Sequence, residues 1–434
     1  MSDSDLTSTK KALGNITWLF GEKVITMGLA LLVSIVLARY LGASEFGRLN
    51  YLISFIAILV PFSTLGLNAI VVRELVNEKR DQGIILGTAL MLRSLGGLVA
   101  IIIIIVTSLI FEQKLLISSN WLILGAIGSS FSSLLLFDFY FQSIVQSQYV
   151  VKTRLIVLGL SSGIKMLAVY NSTSLEVFLS LIVLEPVATG IVLYSFFKFK
   201  KTKKILFKFD FTYAKELFSQ SKWLILSGFM AVVYLKVDQL MIGEILGSEE
   251  LGVYSVAVRM SEVWYFFPTA IVASFFPKLL KSRLDPVMYQ YNLQRVCDVL
   301  FWFGVLVAIS ITLISTLLID VLYGEMYSFA SQVLNIHIWA GVFIFMRALL
   351  SKWLIAEGLL KFSLLTHGIA AITNIILNYI WIPQFGIIGA AWATFISYAL
   401  SSYLVLWLNG NTLPMAKIMS KTITFPYRLL KYKS

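Results

Sequence analysis

Leu41-Gly42-Ala43-Ser44-Glu45-Phe46-Gly47 returns 205 residues later as Leu246-Gly247-Ser248-Glu249-Glu250-Leu251-Gly252, with Leu, Gly, Glu and Gly in register. Each copy lies between two apolar runs, Ile25 to Ala38 and Leu49 to Val72 in the first case, Leu240 to Ile245 and Tyr254 to Phe276 in the second. A hydrophobic hairpin at the same point of both halves marks a chain built by duplication, and duplicated membrane halves commonly enclose a transport pathway. The heptapeptide alone is a weak signal, since Leu-Gly turns are frequent in membrane proteins. Its matched position in the two halves gives it weight.

Composition sets the solvent. Of 434 residues, 58% are hydrophobic and 13% charged, and the mean hydropathy is +0.85. A water-soluble domain cannot hide that much apolar surface, so most of the chain faces lipid. Trp18, Trp121, Trp223, Trp264, Trp381 and Trp407 fall toward the ends of apolar runs, where aromatic belts form. The polar start, Met1 to Lys11, is followed by an apolar run too long for a signal-peptide core and reads as the lead-in to a retained first span. The single cysteine, Cys297, excludes an intramolecular disulfide framework and a Cys-based metal site. His337 and His367 lie in separate apolar runs without ligand spacing and read as hydrogen-bonding helix residues.

A window of about 19 residues finds about twelve spans, from Ile16–Ala38 and Leu49–Val71 in the first half to Phe362–Ile382 and Ile387–Leu408 in the second. The fold class predicted is an all-α integral membrane protein of two six-helix lobes, related by pseudo-two-fold symmetry around a central cavity. Its parts are an N-lobe over 1–197, a basic linker over 198–217, a C-lobe over 218–408 and a basic tail over 409–434. An even span count puts both termini on one side. Segments on that side hold 25 Lys and Arg against 3 on the other (Arg39, Arg48 and Lys114), which predicts cytoplasmic termini. The net charge of +12 is then mostly topological and calls for no nucleic-acid partner. Lys198 to Lys215, with Phe199, Phe207, Phe209 and Phe211 beside its lysines, suits a segment lying on anionic membrane lipids or one that merely sets topology.

Charges within spans cost several kcal/mol unless they face a bundle interior or wet cavity, and there they often mark a substrate path. The bases in this position are Lys23, Arg93, Lys165, Lys222, Lys236, Arg259 and Arg347, and the acids are Glu22, Asp138, Glu185, Asp238, Glu244, Glu262 and Asp298. Lys222 and Asp298 are expected at the cytoplasmic interface. Arg259 and Glu262, three residues apart on one helix face, are expected to pair. Lys23, Arg93, Lys165, Lys236 and Arg347, with Arg259, are the candidate substrate-binding bases; structural ion pairing is the plainer alternative for each. No Ser/His/Asp cluster, Walker-type loop, metal-ligand spacing or large outer loop with paired carboxylates appears, so transport rather than catalysis is expected.

In the first half, Ala38-Arg39-Tyr40-Leu41-Gly42 through Gly47, Leu65-Gly66-Leu67 and Arg73-Glu74-Leu75 follow one another. In the second half come Val237-Asp238-Gln239-Leu240, Gly252-Val253-Tyr254-Ser255 through Arg259, Pro268 and Pro277, and Asn378 with Ile382-Pro383-Gln384-Phe385-Gly386. In this order and spacing the chain resembles, over nearly its whole length, the Wzx-type O-antigen and lipid-linked oligosaccharide flippases. These form the polysaccharide-export branch of the multidrug/oligosaccharidyl-lipid/polysaccharide exporter superfamily. The resemblance implies alternating access that flips an undecaprenyl-diphosphate-linked oligosaccharide to the periplasmic leaflet of a bacterial inner membrane. Partners implied are that lipid and other membrane proteins of polysaccharide assembly. A multidrug or cation antiporter of the same superfamily is the alternative, and a membrane glycosyltransferase or polymerase a more distant one. No cofactor is expected beyond a coupling ion. Asp238, Asn374, Asn378 and Thr394 offer oxygens within the second lobe for Na⁺, as similar lipid II flippases do, although there a carboxylate can stand where Asn378 is here. Asp238 as a proton acceptor is the alternative coupling.

Overall fold

The computed structural model describes residues 3–111, 115–200 and 205–431. Lys114, the linker lysines Lys201, Lys203 and Lys204, and Lys433, all used in the charge pattern above, lie outside the described residues, as do the side chains of Lys10, Lys11, Trp18 and Lys431. Among the described residues the regular structure is entirely helical.

Ten helical stretches there are long and apolar enough to cross a bilayer. Two greatly exceed the roughly 20 residues one crossing needs: Gly21–Asn77 has 57 and Lys361–Leu408 has 48. Each is broken by a glycine outside helical space, Gly42 (φ 72°, ψ 173°) and Gly386 (φ 61°, ψ −146°). With both broken stretches counted twice there are twelve crossings, the number that hydropathy predicts. The second copy of the heptapeptide breaks the chain in the same way. Gly247, between the helices Phe211–Leu246 and Ser248–Glu262, has φ 99° and ψ −179°, the same backbone region as Gly42 and one essentially reserved for glycine. A Cβ on Gly247 would meet nothing within 4 Å. The backbone angle, and not crowding, therefore demands glycine there.

Packing divides the chain into two compact units, Met1–Val232 and Val233–Ser434. The division falls inside the helix Phe211–Leu246, later than the basic linker where composition suggests a boundary. The cause is that the linker is fastened to the first unit. The Lys208 N–H donates to the Gly83 carbonyl (3.1 Å) and the Asp210 N–H to Thr88 Oγ1 (3.1 Å). Gly83 and Gly87, one turn apart on the helix Gln82–Phe111, make room for it. A Cβ at Gly83 would lie 2.0 Å from the Leu206 carbonyl oxygen, and one at Gly87 2.5 Å from that of Lys208. Small residues one turn apart let another backbone approach closely. Tyr213 and Leu217 then join Phe137, Phe141, Leu193 and Phe197 in one buried apolar cluster.

In the second unit the tail is likewise part of the core. Met415, Ala416 and Met419 of the helix Leu413–Ile423 pack with Leu293, Cys297, Leu300 and Trp353.

Candidate functional site

The helix Gln82–Phe111 carries Arg93 into the first unit, where it is 1% exposed. Its Nη2 donates to the Ser132 carbonyl at 2.7 Å, and its guanidinium carbon lies 5.5 Å from the centre of the Phe139 ring. Nε and Nη1 find no protein partner among the described residues. A guanidinium has five N–H donors in a rigid fork, and burying them unfilled is costly. What this arrangement offers chemically is a cationic socket with two unfilled nitrogens, suited to an anionic oxygen.

Other charges of this unit are held by one another. Lys165 Nζ lies 3.0 Å from Glu185 Oε2, which also accepts from Ser161 Oγ at 3.0 Å. Arg154, one of the 25 bases counted on the side of the termini, reaches Asp138 Oδ2 at 2.7 Å and Glu22 Oε2 at 3.6 Å. Gln142 donates to Asp138 Oδ1 (2.7 Å) and Thr26 to Glu22 Oε1 (3.2 Å), so three helices converge on two buried carboxylates. Asp138 and Arg154 also line a cavity of about 710 Å³ with Asn68, Arg73, Asn77 and Gln142. Sequence reasoning missed this cluster. Its signal was present in Glu22 and Asp138, two acids within spans that each required a base. Lys23, by contrast, is exposed, as are Val24 and Ile25 beside it.

In the second unit the interior polar belt consists of separate sets of partnered groups. Asp238, 2% exposed, accepts at Oδ2 from the Tyr254 hydroxyl (2.5 Å) and Thr394 Oγ1 (3.3 Å), and at Oδ1 from the Gln239 N–H (2.7 Å). Lys236 Nζ donates to Glu262 Oε1 at 2.9 Å. Glu262 therefore takes Lys236 from the helix Phe211–Leu246 in place of Arg259, its neighbour along the chain. Arg259 is half-buried. Tyr234 stacks on His367 with centroids 5.6 Å apart and meets Tyr398 edge-on at 5.3 Å. Arg347 donates from Nη1 to Thr366 Oγ1 and to the Ser401 carbonyl, both at 2.8 Å, and its Nη2 lies 2.6 Å from His367 Nε2. It thereby clamps the helix Ala330–Ala356 to both ends of Leu360–Ser402.

Of the four oxygens considered for an ion, the structure joins Asp238 and Thr394. Asn374 and Asn378 are fully buried and bond each other, Nδ2 of Asn378 donating to Oδ1 of Asn374 at 2.9 Å; the other amide atom of each is unpartnered. Tyr254 completes the carboxylate's shell where an asparagine was expected. Among the described residues, no group of three or more His, Cys, Asp or Glu side chains is placed to hold a metal. Asp298, expected in the headgroup region, is buried at 3% exposure because Arg428 of the tail donates to it at 2.9 Å.

Twelve apolar crossings with charges held inside them define the class, a multi-pass helical membrane protein. The chain belongs to the polysaccharide biosynthesis protein family, whose model matches residues 12–282. It is similar to the probable low-salt glycan biosynthesis flippase Agl15 of Haloferax volcanii, with 25% identity over 404 residues covering 89% of this chain and 81% of that one. Among solved structures it is similar to the lipid II flippase MurJ in an inward closed conformation, with TM-score 0.68 and 18% identity over 96% of this chain and 93% of the other. An inward-facing multidrug resistance MATE family transporter of the MOP superfamily follows, with TM-score 0.66 and 12% identity over 90% and 96%. At such identities the two structures speak to the fold alone.

Proposed function

We propose that this protein flips an undecaprenyl-diphosphate-linked oligosaccharide, an O-antigen or capsule repeat unit, from the cytoplasmic to the periplasmic leaflet of a bacterial inner membrane by alternating access. Membership of a polysaccharide biosynthesis family supports a saccharide-bearing substrate, and the observation that carries the reading is Arg93. A diphosphate crossing hydrocarbon needs a cation that the protein has not already neutralised. Lys165, Lys236 and Arg347 each have protein partners (Glu185, Glu262 and the Thr366–Ser401–His367 set). Arg93 keeps two nitrogens unfilled.

Coupling in this reading falls to Asp238. Two hydroxyls and a backbone N–H surround its carboxylate, and no base stands within ion-pair distance among the described residues. Either Na⁺ or a proton would neutralise it there. The fold likeness to a multidrug transporter supports a second reading, export of organic cations, in which Asp238 rather than Arg93 would meet the substrate.

The deciding experiment uses proteoliposomes loaded with a labelled lipid-linked oligosaccharide, and leaflet exchange is read by a membrane-impermeant glycosidase. Exchange by the wild type, lost in Arg93→Met and dependent on an imposed Na⁺ or pH gradient, is the expected result. Export of cationic dyes with no movement of the lipid would overturn it in favour of the antiporter.

A further inference from the structure

The first turns of the helix Pro286–Tyr323 and the tail helices Leu413–Ile423 and Phe425–Lys431 enclose a groove of about 1070 Å³. Four bases, Arg295, Lys417, Lys421 and Arg428, line it against one acid, Asp298. That acid is already engaged, since Gln294 Nε2 (2.8 Å) and Arg428 Nη2 (2.9 Å) both donate to its Oδ1. Arg295, Lys417 and Lys421 are exposed and have no carboxylate within ion-pair distance among the described residues. The Arg295 guanidinium lies over the Tyr291 ring at 5.6 Å, and Arg428 Nε is buried without a partner. The site is therefore electropositive and offers both point charges and a guanidinium fork, the donor set that phosphate oxygens take.

What sets it apart from a binding place for a soluble anion is its continuation. Val299, which lines the groove, begins a row on one face of the same helix with Leu306 and Leu313, at 52%, 60% and 80% exposure. Seven-residue spacing keeps them aligned along the helix. In a membrane-spanning helix such a row contacts hydrocarbon. A phosphate with acyl chains satisfies both the basic groove and the apolar row below it; a nucleotide or free phosphate would use only the first.

We infer that this groove binds the phosphate headgroup of an anionic glycerophospholipid, with its acyl chains along Val299, Leu306 and Leu313. The site is separate from the interior polar belt, and the inference does not depend on which substrate is transported. The groove does not need the lipid in order to form. Gln294 Nε2 lies within hydrogen-bond reach of Thr422 Oγ1 (2.9 Å) and the Ile418 carbonyl (3.1 Å), and Trp302 Nε1 donates to the Thr422 carbonyl (3.0 Å), which docks the tail independently of the exposed bases. Bound lipid would tie this docked tail to the bilayer surface, each nearby base adding to the attraction for anionic headgroups.

The test titrates the delipidated full-length protein in detergent with dioleoylphosphatidylglycerol or dioleoylphosphatidylcholine and counts bound lipids by native mass spectrometry. The wild type should retain the anionic lipid preferentially. The triple variant Arg295→Ala/Lys417→Ala/Lys421→Ala should bind it about tenfold more weakly or worse, with an unchanged melting temperature. A control triple at exposed lysines of the same unit, Lys278→Ala/Lys281→Ala/Lys352→Ala, should change binding less than threefold, and Lys417→Arg/Lys421→Arg should retain it. Equal loss in both triples, or loss in neither, would overturn the site. Displacement of phosphatidylglycerol by an equimolar polyprenyl diphosphate would also overturn the assignment, by giving the groove to the transported class of lipid.

Discussion

Arg93 in the first unit and Arg347 in the second are almost equally hidden, at 1% and 4% exposure, and the protein fills their nitrogens to different extents. Arg347 has three protein partners on a neighbouring helix. Arg93 has a single carbonyl and an aromatic face. Arg347 leaves only Nε without a partner, whereas Arg93 leaves both Nε and Nη1 unfilled; the first is chiefly a fastening, and the second keeps an open face for an anionic oxygen. The carboxylates differ in the same way. Asp138 is held by the base Arg154, whereas Asp238 is held by hydroxyls. Location inside a span therefore does not define a functional charge. What surrounds it does.

The sharpest way to break this comparison is Arg154→Met, which leaves Glu22 and Asp138 buried without their shared base. A fully buried pair broken on one side costs about 3 to 5 kcal/mol. Arg154 is 34% exposed, so a loss toward the lower end, about 3 kcal/mol, is expected as a lowered melting temperature in detergent. Asp138→Leu in the same background should restore part of it. Next, Arg347→Met should destabilise by about 2 kcal/mol, because a carbonyl, a hydroxyl and a ring nitrogen lose a charged donor. Arg93→Met should leave the melting temperature unchanged or higher while slowing lipid exchange at least tenfold, and equal destabilisation by the two methionines would erase the distinction between fastening and socket. Gly87→Ala drives a methyl into the Lys208 backbone and should cost about 1 to 3 kcal/mol; faster proteolysis within the linker is the direct readout. Asp238→Asn keeps an oxygen for Tyr254 and Thr394 and should cost about 1 kcal/mol or less. It should nevertheless abolish any dependence of exchange on an ion gradient, measured in proteoliposomes.

The twelve crossings and the two hairpin glycines were legible because apolar length and a repeated heptapeptide are properties of contiguous sequence. Partnerships were not. Glu262 has Arg259 three residues away, yet it bonds Lys236, twenty-six residues back on another helix. Arg347 meets Ser401, fifty-four residues on. Asp298 takes Arg428 of the tail, one hundred and thirty residues on. Composition could list every intramembrane charge of the candidate site, but sorting clamps from sockets required helix-to-helix distances that no spacing rule contains. The same limit explains the linker. Its lysines suggested a boundary, while Gly83 and Gly87, ordinary residues in an apolar run, fix it to the first unit.

The matched backbone angles at Gly42 and Gly247 have unequal weight once the chain is seen in time. Synthesis proceeds from the N-terminus, and folding units form in that order. A hairpin whose reversal rests on one glycine angle has to reach the bilayer as a pair of helices. A lesion at Gly42 strikes while almost nothing has been inserted, and its error in orientation is inherited by every span that follows. The same lesion at Gly247 arrives after the first unit is in place. It leaves half a finished protein for quality control to recognise. Identical geometry therefore carries two different penalties in biogenesis, ranked by distance from the start of translation.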